Sequence, residues 1–409
     1  MTQFLGAFND NLFKSALVIL ITFRLAEAYG LNAQIMITVV AGLFILPFFL
    51  FSSLAGQLAD KYEKAFLIRI IKFVEIVLMC LTALSFELMQ LWWLVFLLFC
   101  MGTQSTFFGP LKYSILPQLL SDDELVAGNG LINAGTNIAI LLGTTIGGLL
   151  ILSPEGRNYI SAGIISVAAA GYIAARYIPL CPASAPKLHI DPNLFRSAWE
   201  LLVYPLDNKP VFLSILGISW FWFIGSVFLA QFPSYAKDVM GGDEQVSTLF
   251  LVLFSIGVGA GATCCNRMLK GRVSGKYLTP SLLAISLFIA LLCFVGKAVH
   301  TQELLTLAAF IKRPGAIFVC LSMFLIAWAG GLYSVPMYAM LQRLTPPTHM
   351  ARVIASLNVV TSFYMVVAAL LCAVLIAAGI SIRGLFLLMG MLNLLMLPIT
   401  KKLSGINDN

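Results

Sequence analysis

Charge is the scarcest property of this chain. Asp, Glu, Lys and Arg make up 11% of its 409 residues, against 60% hydrophobic residues and a mean hydropathy of +0.95. That excludes an ordinary soluble globular domain, in which about a quarter of residues are charged. Histidine is nearly missing as well: three residues, at 189, 300 and 349, all fall in expected loops. Neither a histidine metal site nor a histidine proton relay is therefore expected. The eight cysteines show no metal or redox spacing. Cys264 and Cys265 are adjacent, and Cys80, Cys100, Cys293, Cys320 and Cys372 sit inside apolar runs, where they read as small packing residues. No GxxxxGK[ST] loop occurs and no loop carries a nucleophile with a base, so neither an ATPase nor another enzyme is expected, and no cofactor.

What abounds is the apolar run. A helix needs about 20 mainly apolar residues to cross the hydrocarbon of a bilayer. Such runs recur at roughly 4–28, 35–59, 66–88, 91–117, 126–152, 157–178, 211–236, 245–268, 279–299, 314–342, 351–379 and 382–400. These twelve spans predict an all-α polytopic membrane protein without a large soluble domain. The first is too long, and too polar at its start, for a cleaved signal peptide, so it is expected to stay in the mature protein.

Lysine and arginine in the loops set orientation. One side collects Lys61, Lys64, Arg69, Lys72, Lys112, Arg176, Lys187, Arg196, Lys209, Arg267, Lys270, Arg272, Lys276, Arg343, Arg352, Lys401 and Lys402; the other has Arg24, Arg157, Lys237, Lys297, Lys312, Arg313 and Arg383. Seventeen against seven, with Lys14 left inside the first span, places both termini in the cytoplasm. The net charge of +7 is then a topological signal suited to an anionic leaflet, and it calls for no nucleic-acid partner.

The longest interior break, "YIPLCPASAPKLHIDPNLFRSAWELLVYPLDNKP" (177–210), holds six prolines and divides the spans six and six. The expected organisation is an N-terminal half at 1–178, a cytoplasmic linker at 179–210, a C-terminal half at 211–402 and a tail at 403–409, where "KKLSGINDN" has the look of a linker stump. In the linker, Asp191-Pro192 predicts a helix start with Asp as N-cap. Leu194, Phe195, Ala198, Trp199 and Leu202 share a face and Arg196 and Glu200 stand at i,i+4, which suits a short amphipathic helix on the membrane surface or against the bundle. The halves echo each other, with basic, Gly-containing loops at "GQLADKYEK" (56–64) and "NRMLKGRVSGK" (266–276). An internal repeat of this kind usually sets a transporter's substrate site between its halves near mid-membrane.

"GQLADKYEK" resembles the signature loop between helices 2 and 3 of the major facilitator superfamily: Gly56, Asp60, Lys61 and Lys64 match, while the second copy lacks the acid, with Asn266 or Arg267 nearest. "QFLGAFNDNLFK" (3–14), "FFGPLKYSILPQLL" (107–120) and "LVAGNGLINAGTNIAILLGTTIGG" (125–148) are similar to the bacterial lysophospholipid transporter family, in the form found ahead of acyltransferase and acyl-carrier-protein synthetase domains. The resemblance implies the twelve-helix fold in two six-helix halves. It also implies a flippase of the bacterial inner membrane that carries lysophospholipid, chiefly lysophosphatidylethanolamine, from the outer to the inner leaflet for reacylation, with a fused or associated acyltransferase or synthetase as partner. Well-known members place charged residues in helices 7 and 11, and none stands at a matching position here. A soluble-solute or drug antiporter of the same superfamily is the alternative, disfavoured because deep titratable residues are concentrated in the first half.

The candidate substrate residues follow from the cost of polar groups in lipid. Asp10, between Asn9 and Asn11, either meets the substrate or pairs with Lys14 at i,i+4. Lys112, between Pro110 and Pro117, either holds a lipid phosphate or snorkels to the interface. Asn129, Asn133 and Asn137 stack on one face of the fifth span, as helix packing or as a polar wall for a headgroup. Gly143, Gly147 and Gly148 let that span approach a helix of the other half closely or bend during gating, with "GVGAGA" (257–262) as counterpart. Gly56, Asp60, Lys61 and Lys64 are expected to form a gating latch, whereas Arg69, Lys72 and Glu75 read as an intrahelical ladder. The second half offers Trp220, Trp222, Gln231, Tyr333, Tyr338, Gln342, Asn358, Thr361 and Tyr364, of which Gln231, Tyr333, Asn358 and Tyr364 are the substrate candidates, suited to sheltering an acyl chain.

Overall fold

Backbone N–H and C=O groups in an apolar environment must be satisfied within their own segment, and the apolar runs accordingly fold as helices. The computed structural model describes residues 1–296 and 304–405; Lys297, His300, the end of the expected 279–299 span and the last residues of the tail lie outside them. Twelve long helices occur among the described residues. They are α1 (Thr2–Ala28), α2 (Ala33–Lys61), α3 (Lys64–Glu87), α4 (Leu91–Ser114), α5 (Leu125–Leu150), α6 (Gly156–Arg176), α7 (Lys209–Val239), α8 (Glu244–Leu269), α9 (Leu278–Val295), α10 (Ala316–Leu344), α11 (Met350–Ala377) and α12 (Ile382–Ser404). Eleven are long and apolar enough to cross a membrane. The exception, α3, carries Lys64, Arg69, Lys72, Glu75 and Glu87.

Helix starts are set by side-chain caps: Asn32 for α2, Glu63 for α3, Asn208 for α7 and Asp243 for α8 each accept first-turn N–H groups. Both α1 and α7, the first helix of each set of six, contain a π-helical turn, Ile21–Leu25 and Tyr235–Val239. Such turns are rare, so their recurrence supports the internal repeat.

The chain groups into two units. The first comprises Met1–Leu119, Ile138–Asp207 and Thr345–Val359; the second comprises Leu120–Asn137, Asn208–Leu344 and Val360–Asn409. The borders fall inside α5 and α11, so each unit takes in a segment from the opposite set of six helices. In the first, Leu12, Phe13, Leu17 and Leu20 of α1 pack with Met79 and Phe86 of α3, Leu94 and Leu98 of α4 and Ile160 and Ile164 of α6. Gly143 and Gly147 press α5 onto α1 at Phe8 and Leu12, where a methyl group would overlap a carbonyl oxygen. Their partner is therefore a helix of the same half, not of the other half as expected: small-residue spacing permits close approach without naming the neighbour. In the second unit α8 packs on α10 through Gly257 and Gly261, and Phe228 stacks on Phe386 at 4.3 Å.

The linker is fastened to the first unit. Ala185 N–H donates to the Asp60 carbonyl at 2.8 Å, Lys64 Nζ to Ser184 Oγ at 2.7 Å, Cys181 N–H to Glu63 Oε1 at 2.7 Å and Asp191 N–H to Gln57 Oε1 at 2.8 Å. Its helix runs Leu194–Val203 with Asn193 as N-cap. The expected cap, Asp191, instead accepts the Asn193 N–H and is held two residues upstream by Gln57. The buried side also differs: Ser197 and Leu201 face the bundle, with Leu201 and Leu202 on Phe49, Ala355 and Val359, and Trp199 is exposed. The Arg196–Glu200 pair forms, at 3.0 Å and in solvent.

Candidate functional site

Buried charge is expensive, so the place where a hydrophobic chain keeps it is the place to look. On α3, residues three apart share a face, and Lys72 Nζ meets Glu75 Oε2 at 2.5 Å with both side chains 1% exposed. Glu75 Oε1 accepts from Asn9 Nδ2 on α1 at 3.1 Å, and Oε2 accepts from Gln104 Nε2 on α4 at 3.0 Å. Asn9 Nδ2 also donates to the Ile164 carbonyl of α6 at 3.2 Å, and Lys72 lies over the Phe108 ring. One carboxylate thus ties α1, α3 and α4 together.

Asp10 stands beside this knot. Its Oδ2 accepts from Ser105 Oγ at 2.7 Å, and Ser105 Oγ is also 3.2 Å from Gln104 Oε1. Its Oδ1 is buried and has no hydrogen-bond partner among the described residues. Lys14 does not close the i,i+4 pair; its Nζ lies over the Phe44 ring at 5.3 Å, while Lys112 Nζ lies over Tyr113 at 5.0 Å. Asn11 satisfies its Nδ2 on the Ala7 carbonyl of its own helix at 2.8 Å. Asn9 and Asp10 thus join the cluster between α1, α3 and α4, with Lys14 one turn further along α1 and Lys112 two turns further along α4.

Sequence reasoning missed Gln104 and Ser105. The intrahelical pairing expected of Lys72 and Glu75 forms, and it is buried; Lys72 lies within α3 rather than in a loop, and Arg69 leaves the ladder to donate to the Ile178 carbonyl at 3.0 Å. The polar patch "GTQST" (102–106) inside an apolar run was the signal for the first two.

At the lysine-rich end of α2, Asp60 is fully buried. Its Oδ1 accepts the Ala351 N–H at 2.9 Å, and Oδ2 accepts the Arg352 N–H at 3.2 Å and Arg352 Nε at 3.1 Å. An acid thus caps the positive N-terminus of α11 and pairs with its first arginine. Gly56 allows the approach, lying on Arg352 and Ala355. Of the other motif residues, Lys64 serves the linker and Lys61 lies over the Tyr62 ring at 5.8 Å.

The amide stripe of α5 is occupied by packing. Asn129 and Gln342 exchange hydrogen bonds at 2.5 and 3.2 Å, Asn133 Nδ2 donates to Ser334 Oγ at 3.1 Å, and Asn137 donates back to Asn133. Spacing showed that the three share a face but not that α10 covers it. In the second unit Trp220 Nε1 donates to Asn393 Oδ1 at 3.0 Å, and Tyr364 meets Trp220 and Phe223 edge-on. Tyr333 is buried, its hydroxyl without a hydrogen-bond partner among the described residues, in a cavity of about 20 Å³ lined also by Trp220 and Asn393. Gln231 is half-buried on α7. Asn358 belongs to the first unit, with Nδ2 against Gly109. These four are not brought together with the Asp10 region as one described site. A cavity of about 610 Å³ in the first unit, lined by Phe51, Leu67, Val74, Leu78, Phe99 and Phe107, has Thr103 and Gln104 as its polar residues.

A bundle of membrane-crossing helices that keeps a buried charge cluster defines a polytopic membrane transporter. The model of the Major Facilitator Superfamily matches residues 2–311, and the chain belongs to that superfamily. The Lysophospholipid transporter LplT of Serratia proteamaculans (strain 568) is 26% identical over 344 residues, covering 83% of this chain and 78% of that protein. The transporter of the same name from Enterobacter sp. (strain 638) is 27% identical over 352 residues, with 83% and 78% covered. The crystal structure of the human organic anion transporter MFSD10 (TETRAN) shares the fold, with a TM-score of 0.76 at 15% identity over 98% of each chain. Relatives and fold alike are those of transporters, not enzymes.

Proposed function

We propose that this protein is a lysophospholipid transporter of the bacterial inner membrane. It moves chiefly lysophosphatidylethanolamine from the outer to the inner leaflet by alternating access with lateral entry of the lipid, both termini lying in the cytoplasm. The product is then a substrate for an acyltransferase, fused or associated. The relatives' names support the substrate class. The observation that carries the reading is Asp10 Oδ1, a buried carboxylate oxygen without a hydrogen-bond partner among the described residues, while its Oδ2 is bonded by Ser105 of α4, the helix that also carries Lys112. A zwitterionic headgroup supplies what each lacks, its ammonium for Asp10 and its phosphate for Lys112. The 610 Å³ apolar cavity, whose Gln104 is bonded to Glu75, offers room for an acyl chain close by. In this reading Asp60 is the latch: its bonds to the start of α11 hold at the cytoplasmic end in one state and release in the other.

The test is leaflet-resolved uptake in proteoliposomes of lysophosphatidylethanolamine against a panel of soluble solutes, with and without an ionophore. Uptake of the lysolipid, insensitive to the ionophore, is expected. Uptake of a soluble solute with no lysolipid movement overturns the reading in favour of the antiporter.

A further inference from the structure

The linker meets its neighbours by two different means. Toward α2 and α3 it is bonded: Ala185 N–H donates to the Asp60 carbonyl, Cys181 N–H to Glu63 Oε1, Asp191 N–H to Gln57 Oε1 and Lys64 Nζ to Ser184 Oγ, all within 2.7 to 2.8 Å. Toward the start of α11 it packs and stacks. Leu201 lies with Ala355 and Val359, Phe49 of α2 beside them, and the Tyr204 ring, in the turn Tyr204–Asp207, stacks on the His349 ring at 4.5 Å with an interplanar angle of 4°. His349 Nδ1 is 2.9 Å from Thr348 Oγ1, and the Thr348 carbonyl accepts from Arg352 Nη2 at 2.8 Å. The stack therefore leans on the same turn whose Arg352 holds Asp60. Beside it a cavity of about 250 Å³ is lined by His189, Asp191, Glu200, Tyr204, His349 and Arg352, so this seam has polar walls.

The two kinds of contact part at different cost. A partly buried N–H pulled from its acceptor is left unsatisfied. Stacked rings that border a polar cavity separate into water and strand no donor. We propose that the linker is a strap, fixed to α2 and α3 and detachable from α11, and that the Tyr204–His349 stack is the contact that parts when the cytoplasmic end opens. With the strap in place the start of α11 is held twice, by Asp60 from α2 and by Tyr204 from the linker. Only the alternating-access part of the functional reading is needed, so the strap serves whatever solute the protein carries.

Two cysteine pairs test the asymmetry in proteoliposomes, each closed by a bifunctional maleimide, with the bridged fraction read by mass spectrometry. Closing Tyr204→Cys with His349→Cys ties the strap to α11, and is expected to cut lysophosphatidylethanolamine uptake about tenfold or more. Closing Gln57→Cys with Asp191→Cys ties it to α2, where it stays throughout, and is expected to change uptake by less than about twofold. Each pair is compared with its own unbridged form, so the effect of the substitutions themselves cancels. Equal effects of the two bridges, or failure of either pair to bridge, overturn the strap. A second measurement needs no substrate: Ser197, 5% exposed on the bundle side of the linker helix, is replaced by cysteine and labelled with a soluble maleimide, its peptide being resolved by mass spectrometry. Tyr204→Ala is expected to speed that labelling about three- to tenfold, the worth of one aromatic pair expressed as a population, while Tyr204→Phe, which keeps the ring, leaves it unchanged. An unchanged rate in Tyr204→Ala, or the same rise in both variants, overturns the role of the stack. If the unaltered protein moves a soluble solute and no lysolipid, the functional reading falls, and the same pairs decide the strap with that solute in place of the lipid.

Discussion

The interiors of the two units are built from the same apolar residues but solve the polar problem differently. The first buries ionisable groups: Asp60, Lys64, Lys72 and Glu75 are inaccessible, and Asp10 has one oxygen sealed from solvent. The second buries neutral ones, with Asn129 on Gln342, Asn133 on Ser334 and Trp220 on Asn393. Neutral amides and indoles close their hydrogen bonds pairwise and need nothing further. Charges cannot be satisfied so simply: Glu75 takes donors from α1, α3 and α4, and Asp60 takes two backbone N–H groups and a guanidinium from the start of α11. The lesson is that polarity buried in such a chain takes two forms, amide pairs that close on themselves and a carboxylate oxygen left unmet among the described residues.

That contrast can be tested by removing one polar group from each interior. Glu75→Leu strands Lys72 without a counter-charge and is expected to destabilise the protein by about 3–5 kcal/mol. Asn393→Leu, which leaves the Trp220 N–H unbonded, is expected to cost about 1–3 kcal/mol. Both are read from thermal unfolding in detergent, and equal losses would show that charge is not what distinguishes the units. Next in size, Asp10→Asn keeps volume and loses charge, and is expected to cut lysophosphatidylethanolamine uptake about 100-fold, as loss of a buried charged contact does, without impairing insertion. Normal uptake in Asp10→Asn with a defect only in Asp10→Leu would make Asp10 a packing residue. Asp60→Asn weakens the cap on α11 by about 1–2 kcal/mol, and an Ala355→Cys probe beside it should then react faster with a soluble maleimide. An unchanged rate would argue against the latch. Least of all, Asn129→Ala is expected to cost about 1 kcal/mol, the worth of an interhelical amide bond, and to leave uptake unaltered. Selective loss of uptake there would restore the amide stripe as a headgroup wall.

How far the sequence alone reaches follows the same division. Helices were legible because a membrane-crossing run satisfies its own backbone and needs no knowledge of neighbours. Asp10 stood out because a charge in an apolar run is conspicuous, and Asp60 because it sits in a recognisable Gly-Asp-basic loop motif. Ser105 and Gln104 were not, since uncharged side chains acquire meaning only from the acid they touch. Gly143 and Gly147 announced a close approach without saying to what, and the partner proved to be α1. Asp191 has the chemistry of a cap, but Gln57, distant in sequence, holds its backbone, and Asn193 takes the role.

The contact between Asp60 and the start of α11 also has a history in time. Ala351 and Arg352 are synthesised 291 and 292 residues after Asp60. At about 5–20 residues per second, the ribosome reaches them roughly 15–60 s later. Until then the Asp60 carboxylate lacks the three donors it holds in the folded protein. The acid is therefore a place held open during biosynthesis, and the emergence of the eleventh helix is the event that finishes the second.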